Sequence, residues 1–320
     1  MTFTVLVTDR VSDEGLAPLL DDDRFAIETI GDSSSDQFEA ILASAVGLIV
    51  RSATKVDGEM MTRAVGLKVI GRAGVGVDNI DLAAASKRGI AVFNAPGGNT
   101  NAAAELTMAL ILALARRVPE ADRSMRDGRW ERAGLQGIEL KGRTLGLVGA
   151  GRIGGEVARR CQAFGMEVLV YDPYLTEERA AELGVRLVDL DQVIENADVI
   201  SCHVPLTDET RGLIDASRLG QMKNGVLVVN ASRGGVIDEA ALAEALRDGA
   251  IAGAALDVYE REPLSEESPL RNAPNLVLSP HLGASTEEAQ VGVATEVAGY
   301  VHTALGEGDV SAAINAADLG

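Results

Sequence analysis

The second half of this 320-residue chain carries residues whose types and spacing do chemistry together. Gly149-Ala150-Gly151-Arg152-Ile153-Gly154 follows an apolar run and opens a helical pattern. Its glycines permit a tight turn and let a pyrophosphate approach a helix N-terminus. Asp172 stands eighteen residues after Gly154, at the end of the next apolar run. A carboxylate there accepts hydrogen bonds from ribose hydroxyls and repels a 2′-phosphate, which reads as NAD over NADP. Arg233, Glu262 and His281 follow, each read as ending another short strand-like segment. They offer a cation for a carboxylate, a carboxylate partner and a proton carrier. The set reads as hydride transfer on a small 2-hydroxy or 2-keto acid.

Each candidate has a blander reading beside it. A GxGxxG turn is weak alone in a chain with 35 glycines, and an acid at a strand end is often merely solvated. The strand Thr144–Val148 before the turn and Asp172 after it supply the context. Only three histidines are present. His302 lies inside the last helical segment and reads as a surface or packing residue. His203 sits at a strand end before Val204-Pro205 and could line a cofactor cleft. His281 follows Ser279-Pro280 at a strand-to-helix junction, where α/β enzymes place ligands, and is the best proton carrier of the three. Arg233, flanked by Ser232 and Gly234, can present a bidentate guanidinium. Glu262 alone would be a surface residue and gains weight only from Arg233 and His281.

These residues need a scaffold of strand ends. Strand-like runs such as Thr4–Thr8, Gly47–Arg51, Lys68–Arg72 and Ala91–Phe93 alternate with helix-like stretches in the first half. Asn94-Ala95-Pro96-Gly97-Gly98 interrupts the pattern. A long helix is expected from about Thr100 to Arg117, stopped by Pro119. The alternation then restarts with Arg143–Val148, Val168–Tyr171, Val185–Val188, Val199–His203, Val226–Asn230, Ala252–Leu256 and Leu276–Leu278. A final helix is expected over Thr286–Leu305. Repeated βα units predict an α/β fold with two doubly wound parallel sheets.

Composition is that of a globular protein: 47% hydrophobic, 24% charged and only 3% aromatic. The net charge of −19 argues against nucleic acid or an anionic membrane as partner. It also requires that any anion site be built locally from arginines and helix N-termini. An acidic surface suits high salt, or simply solubility. Cys161 and Cys202 sit apart in apolar segments and read as buried thiols of a reducing, cytoplasmic compartment. No signal peptide and no membrane-spanning run is read, and no metal-ligand cluster.

The segments Arg51-Ser52-Ala53-Thr54, Gly71-Arg72-Ala73-Gly74-Val75-Gly76-Val77-Asp78-Asn79, Asn94-Ala95-Pro96, Gly128-Arg129-Trp130, Asn230-Ala231-Ser232-Arg233-Gly234-Gly235, Ala254-Ala255-Leu256-Asp257-Val258, Glu262-Pro263 and Pro280-His281-Leu282-Gly283 resemble the D-isomer-specific 2-hydroxyacid dehydrogenases. The resemblance covers essentially the whole chain. It implies a Rossmann NAD-binding domain, 98–285, inserted in a flavodoxin-like substrate domain, 1–97 and 286–320. It implies Arg233 on the substrate carboxylate, His281 as general acid–base and Glu262 as its partner. Cofactor contacts are implied at Val75, Gly149, Gly151, Arg152, Ile153, Gly154, Asp172, Val204, Ala231, Ser232, Asp257, Gly283 and Ala284. Substrate-side positions are Arg51, Arg72, Val75, Gly76, Asn99 and Arg132. Arg51 and Arg72 favour a phosphorylated substrate. Relatives that reduce hydroxypyruvate or glyoxylate share the catalytic set, and NAD-sensing binding proteins of this fold are the non-enzymatic alternative. A homodimer is expected, through the long helix after Asn99 and an arm carrying Trp130 and Arg132. Many relatives continue into a serine-binding regulatory domain; with the sequence given ending at Gly320, insensitivity to serine is the expectation.

Overall fold

A computed structural model of the chain describes residues 2–31 and 35–319. They divide into two compact units, Met1–Thr100 with Ala284–Gly320, and Asn101–Gly283.

The first unit is built on five parallel strands: β1 (Phe3–Val7), β2 (Phe25–Thr29), β3 (Gly47–Val50), β4 (Val69–Arg72) and β5 (Ala91–Asn94). Their order is β2-β1-β3-β4-β5, the flavodoxin-like arrangement. Leu48, Ile49, Val50, Ile70 and Val92 are fully buried. Strands covered on both faces need such near-continuous apolar runs, and burying each aliphatic side chain stabilises by about 1.5–3 kcal/mol. The crossover helices start on acidic caps: the carboxylates of Asp57 and Asp81 accept from the backbone N–H of Met60 and Ala84. The last helix, Glu287–Glu307, belongs to this unit, and its Tyr300 stacks on Phe93 with ring centroids 5.5 Å apart.

The second unit holds seven parallel strands: β6 (Thr144–Val148), β7 (Glu167–Tyr171), β8 (Arg186–Leu187), β9 (Val199–Cys202), β10 (Leu227–Asn230), β11 (Gly253–Leu256) and β12 (Leu276–Leu278). The order is β12-β11-β10-β9-β6-β7-β8. Strand order reverses between β6 and β9. In doubly wound sheets ligands bind outside the carboxyl ends of the strands at that switch point. The expected fold class, two doubly wound parallel sheets, is the one observed.

Two local readings need correction. The long helix ends at Ala115, not Arg117, and a second helix, Val118–Arg126, follows at once. Arg117 takes a left-handed conformation (φ 51°) that breaks the axis. Pro119 then lies in the first turn of the new helix, where its missing N–H costs nothing. A proline read as a stop is here a start. Glu262 does not end a strand either. β11 closes at Leu256, and Glu262 lies in the loop beyond it.

Candidate active site

The glycine turn sits at the carboxyl end of β6. Gly149 has φ +93°, and a β-carbon there would fall 2.7 Å from the carbonyl oxygen of His203, which follows β9. At Gly154 a β-carbon would fall 2.3 Å from the oxygen of Gly149. Only glycine at both positions lets the helix Arg152–Ala163 start this close to the strand ends. Gly151 has open space beside it, Arg152 is exposed, and no described side chain caps this helix. Its first N–H groups therefore face a space that suits a pyrophosphate. Ile153 turns inward and packs on the core.

Asp172, just past β7, folds over this turn. Its Oδ2 accepts from the backbone N–H of Ala150 at 2.9 Å, and its Oδ1 from that of Tyr174 at 2.9 Å. Val204, half-buried, lines the neighbouring strand end. These residues fit a dinucleotide with free ribose hydroxyls.

The loop after β10 is built around the buried Asn230. Asn230 Oδ1 accepts from the backbone N–H of Ser232 and from its hydroxyl, while Asn230 Nδ2 donates to the carbonyl of Arg233. Arg233 Nη1 donates to the Ser232 carbonyl at 2.7 Å. Ala231, Ser232 and Arg233 are all half-buried.

His281 and Glu262 come from different loops and meet. His281 Nδ1 lies 2.7 Å from Glu262 Oε2. Glu262 Oε1 accepts from the backbone N–H of Tyr259 at 3.1 Å. Burial works to raise the Glu262 carboxyl, but the hydrogen bond and charge of His281, the Tyr259 N–H and the charge of Arg233 outweigh it. The net direction is downward, so Glu262 is a carboxylate at neutral pH. With Nδ1 donating to a carboxylate, Nε2 is the nitrogen left for a substrate proton. His281 has φ +55°, a conformation uncommon outside glycine, so its turn must be held. Asp257 holds it. Fully buried, it accepts from the hydroxyl of Ser279 (2.6 Å) and the backbone N–H groups of Leu282 (2.8 Å) and Gly283 (2.9 Å). The hydroxyl of Tyr259 adds bonds to the carbonyls of Leu256 and Ser279. Burial pushes the Tyr259 phenol up to about 12, so it stays a donor.

In the first unit, Arg51 and Arg72 lie at the carboxyl ends of β3 and β4. Asp9 accepts from the Arg51 N–H at 2.5 Å, and Arg51 Nη1 donates to the Arg10 carbonyl. Val75 accepts from Asn94 Nδ2 at 2.6 Å, and the half-buried Gly76 follows it. Asn99 has a buried side-chain oxygen that finds no hydrogen-bond partner among the described residues. The carbonyl of Ala284 accepts from Gln290 at the approach to the last helix. Arg132 stands in an exposed segment of the second unit beside Trp130, which is 77% exposed.

The sequence reading missed Asn230, Tyr259 and Ser279. A buried polar residue at a strand's carboxyl end was the available signal for Asn230. His203 is half-buried, with Nε2 2.8 Å from Ser201 Oγ, and burial pushes its imidazole down to about 4. His302 bonds Asp22 at 2.9 Å and packs on Phe25. Burial pushes both thiols up to about 12, so neither is a nucleophile at neutral pH. Among the described residues there is no cluster fit to hold a metal, and no helix long and apolar enough to cross a membrane.

A nucleotide turn at a sheet's switch point and a carboxylate-paired histidine on the same unit point to a class, and sequence comparison gives the same one. Residues 108–283 match the family "D-isomer specific 2-hydroxyacid dehydrogenase, NAD binding domain", and the chain belongs to that family. It is 50% identical over 294 residues, 92% of its length, to the D-3-phosphoglycerate dehydrogenase of Archaeoglobus fulgidus, of which the match covers 56%. The enzyme of that name from Bacillus subtilis is also 50% identical, over 92% of this chain and 55% of its own. The chain thus spans about half the length of these curated relatives. A crystal structure of the TT0316 protein from Thermus thermophilus is 41% identical, with a TM-score of 0.84, over 96% of this chain and 97% of that one.

Proposed function

We propose that this chain carries out the NAD-dependent, reversible oxidation of D-3-phosphoglycerate to 3-phosphohydroxypyruvate, the first step of L-serine biosynthesis. The observation that carries the reading is the His281–Glu262 pair at 2.7 Å, in a domain of the NAD-binding family whose similar relatives bear the name D-3-phosphoglycerate dehydrogenase.

In the oxidation direction His281 Nε2 takes the proton of the C2 hydroxyl as the carbonyl forms, and the hydrogen on C2 leaves as hydride. NAD, when bound, would supply the hydride acceptor. Glu262 favours the imidazolium so formed. Arg233 holds the substrate carboxylate and polarises the forming carbonyl, which is both positioning and charge stabilisation. Gly149, Gly151, Arg152, Ile153 and Gly154 would hold the pyrophosphate and Asp172 the ribose. Val75, Val204, Ala231, Ser232, Asp257, Gly283 and Ala284 complete the cofactor set. Arg51, Arg72, Val75, Gly76 and Asn99 serve the substrate. Arg132 belongs to an arm that, with the exposed Trp130, meets a second copy in a homodimer. The two buried cysteines, Cys161 and Cys202, are not joined in a disulfide, which suits a cytoplasmic setting.

The test is kcat/KM across a panel of 2-keto acids with NADH and NADPH. The reading requires 3-phosphohydroxypyruvate with NADH to lead the panel. Hydroxypyruvate or glyoxylate leading it would assign the chain to another substrate of the family.

A further inference from the structure

The guanidinium of Arg72 occupies the space that a side chain at residue 74 would take. A β-carbon built on Gly74 falls 1.4 Å from Nη1, 2.7 Å from Cζ and 3.4 Å from Nε of Arg72. Carbon and nitrogen atoms in contact sit about 3.5–4.0 Å apart, so the two cannot coexist. The turn beneath cannot retreat. Gly74 N–H donates to the Arg72 carbonyl at 2.8 Å, the Gly74 carbonyl accepts from Ala95 at 2.9 Å, and the carbonyl of Val75 accepts from Asn94. These bonds pin residues 72–75 to the end of β5. Gly74 itself is buried. The three atoms nearest an added β-carbon all belong to the Arg72 side chain, so the guanidinium is the group it displaces.

We propose that Gly74 is a specificity-determining position, whose missing side chain lets the Arg72 guanidinium lie over its own turn in the placement that receives the substrate's phosphate. This rests on the substrate reading above, since that reading puts a phosphate before Arg72. Gly74 touches no reacting atom and acts through Arg72.

The experiment is a double-mutant cycle read by calorimetry on the whole chain loaded with NADH, which cannot pass hydride to an alcohol. The ligands are 3-phosphoglycerate and D-glycerate, and the variants are Gly74→Ala, Arg72→Ala and the pair. Gly74→Ala is expected to weaken 3-phosphoglycerate about 10-fold, the scale of one charge-assisted hydrogen bond, with D-glycerate within twofold. The pair is expected to bind no more weakly than Arg72→Ala alone. The φ of +153° strains any side chain at 74, but that strain is present with and without Arg72 and cancels in the cycle. Losses that add, or that fall equally on D-glycerate, overturn the inference. If Gly74→Ala folds only when Arg72 is also alanine, the coupling stands; if it unfolds in both backgrounds, the proposal falls. Wild-type protein that binds 3-phosphoglycerate no better than D-glycerate overturns the substrate reading. The coupling is then decided by a crystal structure of Gly74→Ala. A displaced guanidinium supports it, and an unmoved one refutes it.

Discussion

Glu262 bridges two loops: one oxygen holds His281 Nδ1 at 2.7 Å, the other takes the backbone N–H of Tyr259 at 3.1 Å. The imidazole is thereby oriented from the far side of Nε2. Glu262→Gln keeps the shape and removes the charge. One charge-assisted hydrogen bond is worth about 1.5–3 kcal/mol, so kcat should fall about 10- to 100-fold with NADH affinity unchanged. Because the Glu262 carboxyl lies below its ordinary 4.5, it stays ionised above that pH and contributes there. Its contribution is lost only as pH falls through the lowered value. Glu262 itself therefore gives no acid limb of kcat/KM above pH 4.5; a limb there should move to lower pH in Glu262→Gln, and a move to higher pH would count against this assignment.

Asp172 meets two backbone N–H groups at the end of β7. Asp172→Asn should narrow the preference for NAD over NADP by about 10-fold or more, because one charge facing a 2′-phosphate is gone. Equal kcat/KM for the two cofactors in the wild type would remove the basis of this reading.

Arg233→Lys replaces a planar fork by a point charge. We expect kcat/KM to drop by about 100-fold, one bidentate interaction being partly lost. A fall below threefold, measured with 3-phosphohydroxypyruvate, would mean that Arg233 does not grip the carboxylate.

His203 links pH to stability. Its half-buried imidazole is lowered to about 4, whereas an unfolded histidine titrates near 6.5. Between those values the unfolded chain binds more protons, so stability falls as pH drops from about 6.5 towards 4. At pH 5 the loss is on the order of 2 kcal/mol. His203→Asn should lose that much less stability than the wild type between pH 7 and pH 5 in urea titrations. Parallel losses in the two proteins would contradict it.

What the sequence made legible was local. The Gly149–Gly154 turn and Asp172 are specified by neighbours on one strand–turn–helix unit, and both sit where the pattern put them. Alternation of apolar runs likewise gave both sheets. The ties that hold the site are long-range. Asp257 reaches Ser279, Leu282 and Gly283 across more than twenty residues, and Tyr259 reaches Ser279 across twenty. No spacing rule encodes such contacts. The helix Val118–Arg126 was hidden for another reason: a proline marks a helix's first turn and the space after its end with equal weight. Glu262 was placed at a strand end because its run of polar residues gives no sign of where β11 stops.

The central claim is that His281 moves the proton. The direct measurement is single-turnover reduction of 3-phosphohydroxypyruvate by NADH in the wild type and in His281→Ala, with the Kd for NADH measured alongside. A positioned acid–base contributes about 10²–10⁴-fold. The account predicts a rate loss in that range or beyond, with Kd within about threefold. A His281→Ala rate within a few-fold of the wild type would contradict it.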